Sequence, residues 1–238
     1  MGRKRLINLA AVAIVVVGAY LLKAAGIDIN NLGNNNSSNK QGAKVSSSTP
    51  GKFDHYVMAL SWSPTFCDSN KSGNNEQCAP ERDYAFVVHG LWPQYDRGGW
   101  PADCAGKNAP RIPDNVINSV RDIMPSKRLI IHEWKKHGTC SHEKPAGYYD
   151  AVRVAYDNIK IPNAYSALSK PLKVTGAEVR TEFIKNNPGL SDDAIELTCD
   201  NRLREVRICM DKSLEFRSCA KPRKKCKSKE IVAAMSPT

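Results

Sequence analysis

The chain has 238 residues, a length that allows one sizeable domain or two small ones and excludes a larger multidomain assembly. Its formal charge of +11 and pI near 9.3 favour an acidic partner, because a positive field gathers polyanions over about one Debye length, roughly 8 Å in physiological salt. Much of the excess lies before residue 51, where Arg3, Lys4, Arg5, Lys23, Lys40 and Lys44 face only Asp28. Charge alone therefore does not separate an enzyme acting on a polyanion from an anion-binding surface protein.

Residues 1–25 read as an export segment. Arg3, Lys4 and Arg5 precede an apolar run, Leu6 to Leu22, interrupted only by Asn8. This is the n-region and h-region pattern of a secretory signal, with a small-residue site after Val17-Gly18-Ala19. The run also approaches the ~20 residues that span a bilayer, so it serves either as a cleaved signal peptide or as a signal anchor tethering the protein to a membrane. In both cases the body lies outside the cytosol: secreted, periplasmic, or in the endomembrane lumen of a eukaryote. Residues 26–52, rich in Asn and Ser, bury too little apolar surface to offset ordering and form a disordered linker. The folded domain is expected over 53–238.

Within it, Tyr56–Trp62 and Tyr84–Val88 are short apolar runs with β-branched and aromatic members, hence buried strands. Between them Asn70-Lys71-Ser72 is an N-glycosylation acceptor in a eukaryotic secretory pathway. Apolar spacings of three and four predict helices over Asp114–Met124, Ile131–His137 and Tyr148–Lys160, with Pro125 and Pro162 as stops. Thr175-Gly176-Ala177-Glu178 is a capping box opening a helix that runs to Asn186. Ile195–Cys199, Arg204–Met210 and Leu214–Arg217 alternate as antiparallel strands. Helices and strands mix without a βαβ rhythm, so the class is α+β.

Eight cysteines, Cys67, Cys78, Cys104, Cys140, Cys199, Cys209, Cys219 and Cys226, all lie beyond the export segment. An even number in an oxidising compartment reads as four disulfides, and the spacing lacks zinc-site knuckles. Cys67 with Cys78 and Cys209 with Cys219 are attractive local pairs; the residues alone leave the rest open.

The five histidines are His55, His89, His132, His137 and His142. His89 ends the second predicted strand, where Gly90-Leu91-Trp92-Pro93 turns the chain and would present an imidazole at a cleft. In His132-Glu133-Trp134-Lys135-Lys136-His137, a helical advance of about 100° per residue puts positions 132, 133, 136 and 137 within an arc of roughly 140°. Two imidazoles, a carboxylate and an ammonium then share one face, while Trp134 anchors the helix to the core. The i,i+5 histidines miss the i,i+4 spacing of a His-Glu-x-x-His zinc site. The set suits metal-free cleavage of RNA by its own 2′-hydroxyl: one imidazole removes a proton, the other supplies one, and cations stabilise the phosphate. DNA lacks that nucleophile.

These residues resemble the ribonuclease T2 family. His89-Gly90-Leu91-Trp92-Pro93 is similar to its first catalytic segment and His132 through Cys140 to its second, and Ser61-Trp62-Ser63-Pro64-Thr65-Phe66-Cys67 is similar to its opening strand and turn. The resemblance spans Phe53 to Cys226 and is dense through Tyr149. It implies a central antiparallel sheet flanked by helices and stapled by disulfides. It implies His137 as general base and His89 as general acid, Glu133 and Lys136 stabilising the phosphorane, His132 binding phosphate, and Trp92 either packing beside substrate or stabilising the turn. It further implies a 2′,3′-cyclic phosphate product and loose base preference. Single-stranded RNA is the expected partner, and the chain is read as a monomer that needs no cofactor. Finally it implies the bridges Cys104–Cys140 and Cys199–Cys226 around Cys209–Cys219. His55 and His142 receive no role, and the basic tail Lys221 to Lys229 reads as a solvated loop with cations available to RNA phosphates. Rival readings are a binder that keeps the fold without turnover, and a metal-dependent phosphoesterase.

Overall fold

A strand buried on both faces organises the molecule. In the computed structural model, β1 (His55–Trp62) is buried at every position except Ser61, which is half-buried. It lies between β2 (Phe86–Gln94) and β5 (Leu203–Met210), and β4 (Ile195–Cys199) completes an antiparallel sheet of order β2-β1-β5-β4. A separate short pair joins β3 (Leu172–Val174) to β6 (Ile231–Ala233). The structure describes residues 49–69, 76–79, 84–142, 144–166, 172–220 and 226, and the backbone of 231–233. The expected export segment, most of the expected linker, the expected Asn70-Lys71-Ser72 acceptor and the basic tail other than Cys226 lie outside the described residues.

The period of two along β1 sorts its side chains. Tyr56, Met58, Leu60 and Trp62 enter the main core with Ile130, Trp134, Tyr148, Tyr149, Val152, Val179 and Phe183 from the helices. Those helices are α3 (Lys127–Lys136), α4 (Pro145–Asp157) and α5 (Gly176–Asn186); the short α1 (Ser63–Ser69) and α2 (Asp114–Asn118) precede them. Val57 and Ala59 face the other way, in a small cluster with Trp92 and Cys209. The protein is thus α+β, with helices on one side of the sheet and a second face on which polar side chains gather. Disulfides join Cys67 to Cys78, Cys104 to Cys140, Cys199 to Cys226 and Cys209 to Cys219.

Several elements differ from the sequence expectation, each for a local reason. β2 does not stop at Val88 but pairs through Gln94, including Pro93 opposite Tyr56; a proline lacking its N–H is tolerated because β2 is an edge strand. The first predicted helix ends at Asn118 rather than Met124, where Ser119 turns its hydroxyl onto the Val116 carbonyl and competes with the backbone. α3 begins four residues earlier than Ile131, capped by Ser126, whose hydroxyl accepts from the Leu129 N–H at 3.3 Å. Leu214–Arg217 is not a strand. Leu214 takes φ +67 and the Asp211 carboxylate accepts from the N–H groups of Ser213 and Glu215, leaving a single bridge, Met210 to Phe216.

Candidate active site

β2 carries a bulge where the first histidine sits. Gly90 pairs with Ala59 and Val88 with Leu60, so His89 has no partner across the ladder. A bulge bends the strand and re-aims the extra residue. His89 is therefore mid-strand rather than at a strand end, and its side chain is 37% exposed, open to a ligand. Gly90 is required beside it: a Cβ there would lie 2.1 Å from Glu133 Oε2 and 2.4 Å from Trp92 Nε1.

That close approach brings α3 against β2. Trp92 Nε1 donates to Glu133 Oε2 at 2.8 Å, and Glu133 Oε1 lies 3.8 Å from His89 Nε2. α4 fixes both elements: the Tyr148 hydroxyl donates to the Leu91 carbonyl at 3.0 Å, and the Tyr149 hydroxyl donates to the Ile130 carbonyl. Trp134, buried beneath α3, donates to the Pro110 carbonyl at 2.8 Å. α3 ends at Lys136, and His137 leaves helical geometry while its N–H still donates to the Glu133 carbonyl. The Cys104–Cys140 bridge holds the segment that follows.

The Trp92 ring is the centre of the site. It lies 5.1 Å from the His89 ring and 5.6 Å from the His137 ring, centroid to centroid, and is itself only 9% exposed. The two histidines thus flank one indole. Lys136, half-exposed, lies 3.9 Å from the Asp103 carboxylate; His132 is exposed on the same helix. His55 lies elsewhere, buried on β1 with Nδ1 2.9 Å from Asp96, and His142 contacts the Ser141 hydroxyl.

Two residues that sequence reasoning missed complete the cluster. Glu205 Oε1 lies 2.6 Å from His89 Nδ1, and Arg207 places Nε and Nη2 at 2.8 and 2.6 Å from Glu205 Oε2. Arg207 also covers the Trp92 ring at 5.0 Å. Both lie on β5, where i,i+2 spacing sends them to one face; two charges on alternating positions were the available signal. Beside His89, a cavity of about 210 Å³ is lined by Ser61, Phe66, Val87, Leu129, Arg204 and Glu205, among others.

These surroundings push the titrations apart. Burial disfavours the His89 cation, but the hydrogen bond and charge of Glu205, helped by Glu133 and opposed by Arg207, raise its pKa overall. Burial, then the positive charges of Lys136, His132 and His89, lower His137 to about 3. Burial lifts Glu133 to about 7 despite His89 and the Trp92 N–H. Burial opposes ionisation of Glu205, yet His89 and Arg207 bring it to about 2. His132 is lowered by burial and by Lys136 and His89. Relative to an ordinary imidazole, His89 is shifted toward its cation and His137 toward its neutral form.

Comparisons with known proteins agree with this fold. The ribonuclease T2 family model matches residues 53–219. A ribonuclease of Aeromonas hydrophila is 35% identical over 167 residues, covering 68% of this chain and 74% of that protein. Ribonuclease DdI of Dictyostelium discoideum is 31% identical over 196 residues, covering 73% and 81%. Among solved structures, an RNase-related protein from Calystegia sepium superposes with a TM-score of 0.63 at 21% identity, covering 77% of this chain and 98% of that one. RNase NT in complex with 5′-AMP gives 0.53 at 22%, covering 75% and 97%. The chain belongs to the ribonuclease T2 family and is an RNA-cleaving enzyme.

Proposed function

We propose that the enzyme cleaves single-stranded RNA by transphosphorylation, with His137 as general base and His89 as general acid. The observation that carries this is the pair of histidines flanking Trp92 with titrations displaced in opposite directions. Groups whose environments drive their pKa values apart are the ones suited to opposite proton roles. His137 takes the proton from the 2′-hydroxyl, O2′ attacks phosphorus, the P–O5′ bond breaks, and His89 gives its proton to O5′. The products are a 2′,3′-cyclic phosphate and a 5′-hydroxyl; water then opens the ring with the proton roles reversed, leaving a 3′-phosphate.

Glu133 and Lys136 stabilise the pentacovalent phosphorane and His132 binds phosphate. Trp92 offers substrate only an edge; its larger part is to hold Glu133 and to space the two imidazoles. The cavity beside His89 receives the nucleoside on the leaving-group side, with little base discrimination. The enzyme acts as a monomer without a metal cofactor, in a secreted, periplasmic or lumenal compartment compatible with its four disulfides. Among the described residues no helix is long and apolar enough to cross a membrane, and any tether rests on residues 6–22.

The test is cleavage of a fluorescent single-stranded RNA from pH 4 to 8, with and without a chelator. Chelator-resistant cutting, lost in His89→Ala and His137→Ala, is expected. An uncut substrate supports the fold-sharing binder instead, and activity that a chelator removes and a divalent ion restores supports the metal-dependent phosphoesterase.

A further inference from the structure

We propose that Glu205 is a positioning residue for the acid-base reaction, fixing His89 through Nδ1 so that Nε2 is the atom that exchanges a proton with substrate. This inference rests on the functional reading above and adds a group from a part of the chain that neither catalytic segment contains.

The register of the sheet sets this contact. Glu205 pairs with Ser61 of β1, Arg207 with Ala59 and Cys209 with Val57. Ala59 and Ser61 are small, so side chains of β5 reach over β1 toward β2. The bulge at His89 turns its ring into the same trough. The result is the 2.6 Å contact between Glu205 Oε1 and His89 Nδ1, made by a carboxylate 13% exposed. Arg207 occupies the other oxygen, and its guanidinium lies over Trp92. Glu205 can therefore neither swing into solvent nor turn its second oxygen to the ring without breaking a charge-assisted pair.

The consequence for the proton is one of donor and acceptor inventory. An ionised carboxylate only accepts, so Nδ1 donates to Glu205 in both the neutral and the cationic ring. The labile proton then belongs to Nε2, the nitrogen on the Glu133 side of the ring, 3.8 Å from Oε1. The titratable and charged groups near His89 are Glu205, Arg207 and, across the adjoining cavity, Arg204 from β5, and Glu133, His132 and His137 from α3 and its end. Of these only Glu205 contacts Nδ1 in hydrogen-bond geometry.

The experiment uses Glu205→Gln, which keeps an acceptor oxygen of the same reach and removes the charge. Long-range ¹H–¹⁵N spectra of labelled protein read the His89 tautomer and titration, and kcat and KM are followed against pH on a dinucleotide. In the wild type, neutral His89 carries its proton on Nδ1. In the variant, His89 titrates at lower pH, the alkaline limb of the rate profile moves the same way, and kcat falls about 10²-fold with little change in KM. Glu205→Asp returns the charge, and the alkaline limb moves back toward its wild-type position. An Nδ1-deprotonated neutral tautomer in the wild type overturns the proposal. So does a folded Glu205→Gln with unaltered His89 titration and kcat. If the wild type cuts no RNA, the functional reading fails on its own, and the tautomer still decides whether Glu205 orients His89.

Discussion

At the scale of single residues, the site places an ionisable group where its charge is costly. Glu133 is 2% exposed and titrates near 7 instead of its ordinary 4.5. A carboxyl whose folded pKa is raised contributes stability below its unfolded value, and that contribution is lost as pH rises from 4.5 to about 7. Glu133→Gln keeps an oxygen for the Trp92 N–H and removes the charge. We expect the variant to melt several degrees higher than the wild type at pH 8 and equally at pH 4, while kcat falls at least 10²-fold. Thermal melts at the two pH values, with initial rates, check both halves; an unchanged melt at pH 8 would mean that the carboxylate is compensated after all. The residues of this cluster were legible to different degrees. His89, Glu133, Lys136 and His137 stand in two short segments whose spacing is local, so they could be read from the chain. Glu205 and Arg207 meet His89 only through the pairing of β5 with β1, a contact across 116 positions. In the sequence they look like the solvent-facing half of an alternating strand.

At the scale of elements, the active site depends on how closely β2 and α3 approach. Gly90 is the contact point. Gly90→Ala should displace Glu133 and the Trp92 indole, lowering stability by about 1–3 kcal/mol and kcat by at least tenfold, read by urea unfolding and single-turnover rates. Wild-type kcat in that variant would show that the site tolerates a wider gap. The capping box at α5 supplies the contrast. Thr175 accepts from the Glu178 N–H at 3.1 Å, and Glu178 accepts in return from the Thr175 N–H at 2.6 Å. Thr175→Ala should cost about 1 kcal/mol and leave kcat untouched. This helix and β4 were readable because their signals are local: a capping box for one, five alternating residues for the other. β2 was not, because its continuation through Pro93 depends on being an edge strand, and its bulge depends on the register with β1. The start of α3 was missed since its first turn, Lys127-Arg128-Leu129, carries few apolar residues, and only the Ser126 cap marks it.

At the scale of the whole molecule, the displaced groups set opposing slopes of stability with pH. His137, buried and lowered to about 3, binds its proton more readily when unfolded, so its contribution is lost as pH falls from 6.5 toward 3. Glu205, lowered to about 2, loses its contribution as pH falls from 4.5 toward 2. Glu133 acts in the other direction between 4.5 and 7. Glu133 therefore offsets part of the histidine slope above about pH 4.5, and the melting temperature should fall most steeply below that pH, where His137 and Glu205 act together without opposition. A melting temperature that stays level from about pH 4.5 to 3 would contradict the burial of His137 and Glu205. With the proposed roles, a base competent well below pH 6.5 and an acid that keeps its proton above it should give a broad kcat/KM plateau.

In the proposed mechanism the two imidazoles flanking Trp92 transfer protons on either side of one RNA phosphate. The most direct measurement is ³¹P NMR of a short RNA during cleavage in the presence of a chelator. A transient 2′,3′-cyclic phosphate signal that decays to a 3′-monophosphate is expected, with the cyclic signal absent in His89→Ala and His137→Ala. Products ending in a 5′-phosphate, formed with no cyclic species, would contradict it.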